Sequence, residues 1–438
     1  MQEEYEEEEQ VREQRKPGES GHTGWRKTPL ADNIHYFMKW TFISVIIGVA
    51  VGVVGAVFGH GVILATRLWQ QFHWTVFFMP VAGLLIVWLY QMGHEEKNRG
   101  TDLILESVSA HQEIPVITAP LIFVSSILSH AVSASAGREG AALQLGGALG
   151  NLTGKLMRLD ERDRKIAIMC GMSACFSALF GTPLAAGVFS MEVVSIGIMY
   201  YAALVPCLFA SFIGAAVSGR LGLVAEHYDI GLVPVFDFEG AALTVLLGIL
   251  CAIVGIFLCQ AMHKSGSLYR KYFPSPYWRV LAGSGIFIVL TMIFRSRFYN
   301  GGGLHLIERC FEGETVPYYA FAIKILFTAV ALGSGFKGGE IVPTLCVGAT
   351  FGYTMAALLG MPSGLCTAVG MACLFVSVTN CPVSTIFMAF ELFGFEGMPF
   401  FALGIAISFT LSGYYGLYHS QKFAYSKIRT EYIDRKSN

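Results

Sequence analysis

Long apolar runs separated by short polar breaks dominate the chain. Runs with few or no charges cover residues 40–65, 74–92, 114–129, 200–218, 240–262, 280–294, 316–336 and 341–392. Each is near or above the roughly 20 residues that an apolar helix needs to cross the hydrocarbon core of a bilayer, or is a broken version of that length. The pattern predicts an all-α polytopic membrane protein. Composition agrees: only 14% of the 438 residues are charged and 54% are hydrophobic, against about 25% charged in a soluble domain. The 49 glycines suit close helix packing and interrupted helices.

The polar segments suggest an orientation. Residues 1–34 form a polar tail with an acidic run over 3–9, followed by Arg12, Arg15, Lys16, Arg26 and Lys27. It has no apolar leader core, so no cleavage is expected. Basic residues before Trp40, over residues 155–165 and in the last stretch (Lys422, Lys427, Arg429, Arg435, Lys436) place both termini in the cytoplasm of a multi-pass plasma-membrane protein. Residues 221–239 carry Glu226, Asp229, Asp237 and Glu239 but no Lys or Arg, which places that stretch outside. The expected division is a cytosolic tail (1–34), a first membrane repeat (35–220), a linker (221–238), a second membrane repeat (239–431) and a short C-terminal tail (432–438).

The two halves repeat. Gly137, Leu143, Gly146 and Gly150 recur at one offset as Gly339, Leu345, Gly348 and Gly352, with Glu139 opposite Ile341. Gly171, Met172, Phe176, Pro183 and Glu192 recur at a second offset as Gly370, Met371, Phe375, Pro382 and Glu391. A duplication inside a membrane protein points to a transporter or channel with its ion site at the repeat interface, where Gly- and Pro-broken helices meet. The breaks fall at 137–140, 181–183, 338–343 and 380–382.

The first break holds the chemistry. Gly137-Arg138-Glu139-Gly140-Ala141 sets an arginine and a glutamate where lipid or packed protein is expected. Each charge there costs about 2.5–3.5 kcal/mol on insertion scales, which makes it a functional hypothesis by default. Glycines permit a tight turn and leave peptide N–H groups uncovered. The helix that starts there adds its own unpaired N–H groups and positive dipole end, forming an anion site made of backbone. Glu139 can occupy that site as a tethered anion and leave it when protonated. The plainer alternative is a carboxylate that caps a buried helix.

Other chemistries find little support. Net charge is −1, with no nucleic-acid signature. The ten cysteines form no CxxC pair or zinc spacing, and the eleven histidines no HExxH pattern, so no metal or cofactor is expected. The cysteines read as small apolar free thiols. GxSxG is also missing, which argues against an enzyme.

These residues resemble the CLC superfamily of chloride channels and anion/proton antiporters over residues 40–430. The family's Gly-Lys/Arg-Glu-Gly-Pro motif resembles residues 137–141, with Ala141 in place of proline. Its Gly-x-Phe-x-Pro motif resembles Gly339-Glu340-Ile341-Val342-Pro343, with Ile341 in place of phenylalanine. Its central tyrosine, at the start of the last helix, resembles Tyr418. The resemblance implies an inverted repeat with broken and tilted helices, a homodimer and one pore per subunit. It implies that Glu139 is the gating and proton-transfer residue. Anion binding would fall to Arg138, Gly140, Ala141, Glu340, Ile341 and Val342 through the backbone, and to the Tyr418 hydroxyl. An interfacial anchor is the alternative for Tyr418.

Two further departures bear on the ion. The family's Gly-Ser-Gly-Ile-Pro stretch is replaced by Asn98-Arg99-Gly100-Thr101-Asp102-Leu103. Thr101 or Arg99 takes the place of the chloride-binding serine, and Thr101 still offers a hydroxyl; Arg99 and Asp102 could instead be a charged pair at the vestibule. The inner proton-carrying glutamate falls at Val193, directly after Glu192. Glu192 and Glu391 are read as structural carboxylates between the halves. A missing serine and a missing inner glutamate resemble the fluoride/proton antiporter branch. The function expected is halide transport, chloride or fluoride against protons, gated by Glu139. The alternative is a passive chloride channel.

Overall fold

The computed structural model describes residues 29–95, 99–110, 112–295 and 297–437. The acidic run and basic residues before Pro29, and Asn98, lie outside the described residues. The chain divides into a unit of Met1–Lys39 and a larger one of Trp40–Asn438. The described part of the smaller unit is helical and forms the first residues of the helix Pro29–Gln71; every other feature below belongs to the larger one.

Among the described residues, sixteen α-helices fall into two series of eight. The first is α1 (Pro29–Gln71), α2 (Met79–Met92), α3 (Thr101–Ser109), α4 (Thr118–Ala131), α5 (Glu139–Leu156), α6 (Glu161–Phe180), α7 (Pro183–Glu192) and α8 (Leu204–Arg220). The second is α9 (Phe238–Tyr272), α10 (Pro276–Phe294), α11 (Leu304–Phe311), α12 (Ala320–Ser334), α13 (Ile341–Leu359), α14 (Ser363–Thr379), α15 (Pro382–Phe393) and α16 (Met398–Leu411). Lengths run in parallel: α3 and α11 are the short third members, at 9 and 8 residues, and α5 and α13 have 18 and 19. Six helical stretches among the described residues are long and apolar enough to cross a membrane.

The repeated glycines act at helix crossings. A methyl group on Gly146 would lie 2.2 Å from the Gly171 carbonyl oxygen, and one on Gly171 would lie 2.1 Å from that of Gly146. The second half repeats the contact between Gly348 and Gly370, at 2.5 and 2.4 Å. Backbone therefore packs on backbone where α5 crosses α6 and where α13 crosses α14. Such crossings suit lipid, where van der Waals contact drives helix association.

The repeated carboxylates act between the halves. Glu192, the last residue of α7, accepts hydrogen bonds from the Val383 and Ser384 amides at 3.1 and 2.9 Å. Glu391 of α15 accepts from the Leu184 and Ala185 amides at 2.8 and 2.9 Å. Each carboxylate thus caps the N-terminus of the other half's helix, where Pro183 and Pro382 supply no N–H and the next amides have no intrahelical acceptor.

Three details differ from the sequence expectation. Helix α1 begins at Pro29, inside the stretch assigned to the polar tail, since Leu30 and Ile34 already start its apolar pattern. No helix follows α16 among the described residues. Instead β1 (Ser195–Ile196), β2 (Lys422–Tyr425) and β3 (Tyr432–Lys436) form a small sheet, with β1 and β2 parallel and β2 and β3 antiparallel. Strand β3 occupies most of the expected C-terminal tail. All ten cysteines are buried and free.

Candidate functional site

The two series meet where α5 and α13 begin. The Gly137 amide donates to the Gly339 carbonyl at 2.7 Å, and the Gly339 amide to the Gly137 carbonyl at 2.6 Å. A methyl group on Gly339 would lie 2.3 Å from the Gly140 nitrogen. Neither Gly137 nor Gly140 has a positive φ, so close approach, rather than the tight turn expected, is what requires glycine. Since Gly137 and Gly339 satisfy each other, the amides left without intrahelical acceptors are those of the first turns. Gly140 and Ala141 supply them on α5, and Ile341 and Val342 on α13; Pro343 has none. Two positive helix ends therefore converge on one place.

Glu139 opens α5 and is fully buried. Its Oε2 accepts from the Arg138 amide at 3.2 Å and its Oε1 from Arg138 Nε at 3.2 Å. The far side of the same guanidinium donates from Nη2 to Glu226 Oε1 at 2.7 Å. Arg138 thus meets carboxylates through Nε and Nη2 of its side chain, and its backbone amide also faces Glu139, so that amide is open to another anion only when the Glu139 carboxylate is elsewhere.

A cavity lies on each side of this junction. One, of about 210 Å³, is lined by Gly137, Arg138, His130, His305 and Val342. The other, of about 280 Å³, is lined by Thr101, Gln144, Gly338, Glu340 and Tyr418. Glu139 lines neither, but its neighbours Gly137 and Arg138 line the first, and Gly338 and Glu340, on either side of the paired Gly339, line the second. The predicted site residues therefore gather around the start of α5 and the second cavity.

Tyr418 is 2% exposed, and its hydroxyl has no hydrogen-bond partner among the described residues. A buried hydroxyl without a partner is costly in a folded protein, and this one belongs to a residue that lines the second cavity. Its segment is tied down on both sides. Asp102 Oδ1 accepts from the Ser420 amide and hydroxyl at 2.9 and 2.6 Å. Gln421 Nε2 donates to the carbonyls of Val193 and Thr379 at 3.1 and 2.7 Å. The His419 ring stacks on His263 with centroids 3.8 Å apart.

The family profile for voltage gated chloride channels matches residues 82–413. A "Chloride/fluoride channel protein" of Pseudomonas syringae pv. tomato is 34% identical over 411 residues, 92% of this chain and 90% of the relative. The chain belongs to the CLC superfamily. The crystal structure of a CLC-type fluoride/proton antiporter superposes with a TM-score of 0.85 at 30% identity, covering 90% of this chain and 99% of that one. A slow cyanobacterial Cl-/H+ antiporter shares the fold, with a TM-score of 0.75 at 18% identity over 85% of this chain and 94% of that one.

Within this CLC frame the departures have places. Thr101, the first residue of α3, is buried, and its hydroxyl donates to the Gly140 carbonyl at 3.4 Å. Arg99 pairs with Glu106 at 2.9 Å on an exposed side chain, so the Arg99–Asp102 pair entertained above does not form. Val193 is fully buried, and its side chain carries no proton. Tyr418 stands in the turn before β2 rather than at a helix start, since Gly413 has a positive φ of 58° and the chain then enters the sheet.

Three residues escape the sequence reading. Gln144 donates to Thr101 Oγ1 and to the Gly140 carbonyl, both at 3.3 Å. A signal existed, for Gln144 is the one polar side chain between Glu139 and Asn151, and a buried amide demands partners. Lys324 is fully buried in α12 and braces the loop before α11 by donating to the Tyr299 and Gly301 carbonyls at 3.1 and 2.6 Å. Glu226 is the third, and nothing in its acidic loop marks it as a partner of a residue 88 positions away.

Proposed function

We propose that this CLC protein is a proton-coupled halide antiporter that exchanges fluoride, or failing that chloride, for protons. Glu139 is its gate. Ionised, the carboxylate fills the place where the helix N-termini converge; protonated, it leaves, and an anion takes its place. The backbone at Arg138, Gly140, Ala141, Glu340, Ile341 and Val342 holds the anion, with Thr101 and the unpartnered Tyr418 hydroxyl facing it from the second cavity. The observation that carries this reading is a fully buried carboxylate at a paired helix start whose neighbouring residues line two cavities. Fluoride is preferred because the 34% relative and the 30% structural neighbour both carry fluoride in their names. A passive channel is favoured by one observation, Val193 at the position of the inner proton carrier.

On this reading the protein is a homodimer in the plasma membrane with both termini cytoplasmic and residues 221–238 as an external linker. The basic residues over 155–165 and after residue 421 support that orientation. The test is efflux from liposomes holding purified protein, with fluoride, chloride and pH electrodes in one bath. Fluoride efflux with proton counter-movement is expected. Anion efflux without proton movement in the unaltered protein overturns antiport and leaves the channel.

A further inference from the structure

Arg138 serves two carboxylates at once. Its Nε faces Glu139 at 3.2 Å and its Nη2 faces Glu226 at 2.7 Å, the shorter contact. Side-chain exposure rises along the triad, from 0% at Glu139 through 8% at Arg138 to 19% at Glu226. Glu226 comes from the loop between the halves, and that loop is fastened here. The Glu226 amide donates to the Phe180 carbonyl at 3.3 Å, and the Tyr228 amide to the Leu392 carbonyl at 2.9 Å. The Tyr228 hydroxyl donates to Glu226 Oε2 at 3.3 Å, and its ring stacks on Phe311 with centroids 4.9 Å apart.

The gating reading gives this arrangement a purpose. Glu139 must surrender its charge and move, whereas Arg138 is its covalent neighbour and stays. A buried guanidinium abandoned by its one carboxylate is an uncompensated charge, which is strongly unfavourable. Such a charge would hold Glu139 ionised, or hold any anion that replaced it. The other groups facing Arg138 do not relieve this. Arg67 of α1, His130 of α4 and His305 of α11 line the same cavity and are neutral or cationic. Glu308 of α11 acts electrostatically on Glu226 but forms no ion pair with Arg138 among the described residues. The Tyr228 hydroxyl donates to Glu226 and, among the described residues, forms no hydrogen bond with Arg138.

We propose that Glu226 is a positioning residue for the gate, a permanent counter-ion that keeps Arg138 paired while Glu139 gives up its charge and leaves. The proton that neutralises Glu139 comes from solution and returns there; Glu226 neither supplies nor keeps it. The proposal rests on the reading of Glu139 as a proton-carrying gate.

The experiment measures anion and proton flux against pH in liposomes for the unaltered protein, E226Q and E226D, each also combined with E139A. In E226Q the full charge of Arg138 falls on Glu139, which then needs a more acidic solution to take up its proton. The pH profile should move to lower pH by about one unit, with a smaller move in E226D, and the E139A background should show no move. A uniform loss of rate with an unmoved profile overturns the proposal, as does an equal move in the E139A background or no change at all. If E226Q does not fold, the move in E226D decides. Unaltered protein without proton coupling overturns the gate reading and this proposal together. Coupled unaltered protein with an unmoved E226Q profile overturns this proposal alone.

Discussion

Two pairs of helix N-termini face each other across the repeat, and they differ in one respect. Where α7 and α15 begin, the halves are symmetric: Glu192 caps α15, Glu391 caps α7, and each carboxylate makes two bonds of 2.8–3.1 Å. Where α5 and α13 begin, the halves differ: α5 opens with Glu139, α13 with Ile341. The Glu139 carboxylate is held within its own turn, with two 3.2 Å contacts to Arg138. Symmetry thus accompanies locked charges, and its loss accompanies a carboxylate that no described residue of the opposite half hydrogen-bonds. A charge held from both sides is structural, and a charge held only by the residue before it has room to move.

The contrast can be broken in order of severity. Glu139→Gln should abolish proton movement, a loss of at least about 100-fold if the proton path runs through that carboxylate; unchanged proton flux beside anion flux would end the distinction. Gly146→Ala drives a methyl group to 2.2 Å from the Gly171 carbonyl. It should cost several kcal/mol, on the order of 3 or more, and yield little folded protein by size-exclusion chromatography. Glu192→Gln weakens two charge-assisted bonds and should destabilise the protein by about 2 kcal/mol, read as a lower Tm in detergent. Its proton-to-anion ratio should not change; a changed ratio would make the symmetric pair part of the transport path. Tyr418→Phe removes a hydroxyl with no internal partner, so Tm should hold or rise slightly. Anion affinity should weaken by about fivefold, on the order of 1 kcal/mol. A lower Tm with unaltered affinity would make Tyr418 an anchor.

The sequence carried the duplication because the same packing problem was solved twice. Gly146 and Gly348, Gly171 and Gly370, and the two Pro–Glu helices stand at fixed offsets, since backbone contact and carboxylate capping tolerate few residue types. Glu139 was legible through the cost of a charge inside an apolar run. Glu226 was not, because an acidic residue in a polar loop is ordinary and its partner is set by tertiary contact alone. The sheet was equally hidden. Strand β1 is two residues long and pairs with β2, more than 200 residues later, and so short an element leaves no periodic trace. The family's helical start at Tyr418 gave way to that sheet. The role of Gln144 could have been inferred from the need of a buried amide for partners.

The paired peptides of Gly137 and Gly339 also bear on how this protein can diversify. A missense change replaces a side chain, and only a change to proline removes a main-chain N–H. On the proposed reading, the innermost wall of the pathway is therefore built from atoms that every residue but proline supplies, and the close approach of Gly140 and Gly339 closes those positions to almost any alternative. On the same reading, variation in ion preference is left to the few exchangeable side chains around that wall, at positions 101, 141, 144, 341 and 418. A lineage that alters its ion would do so by redecorating a fixed frame.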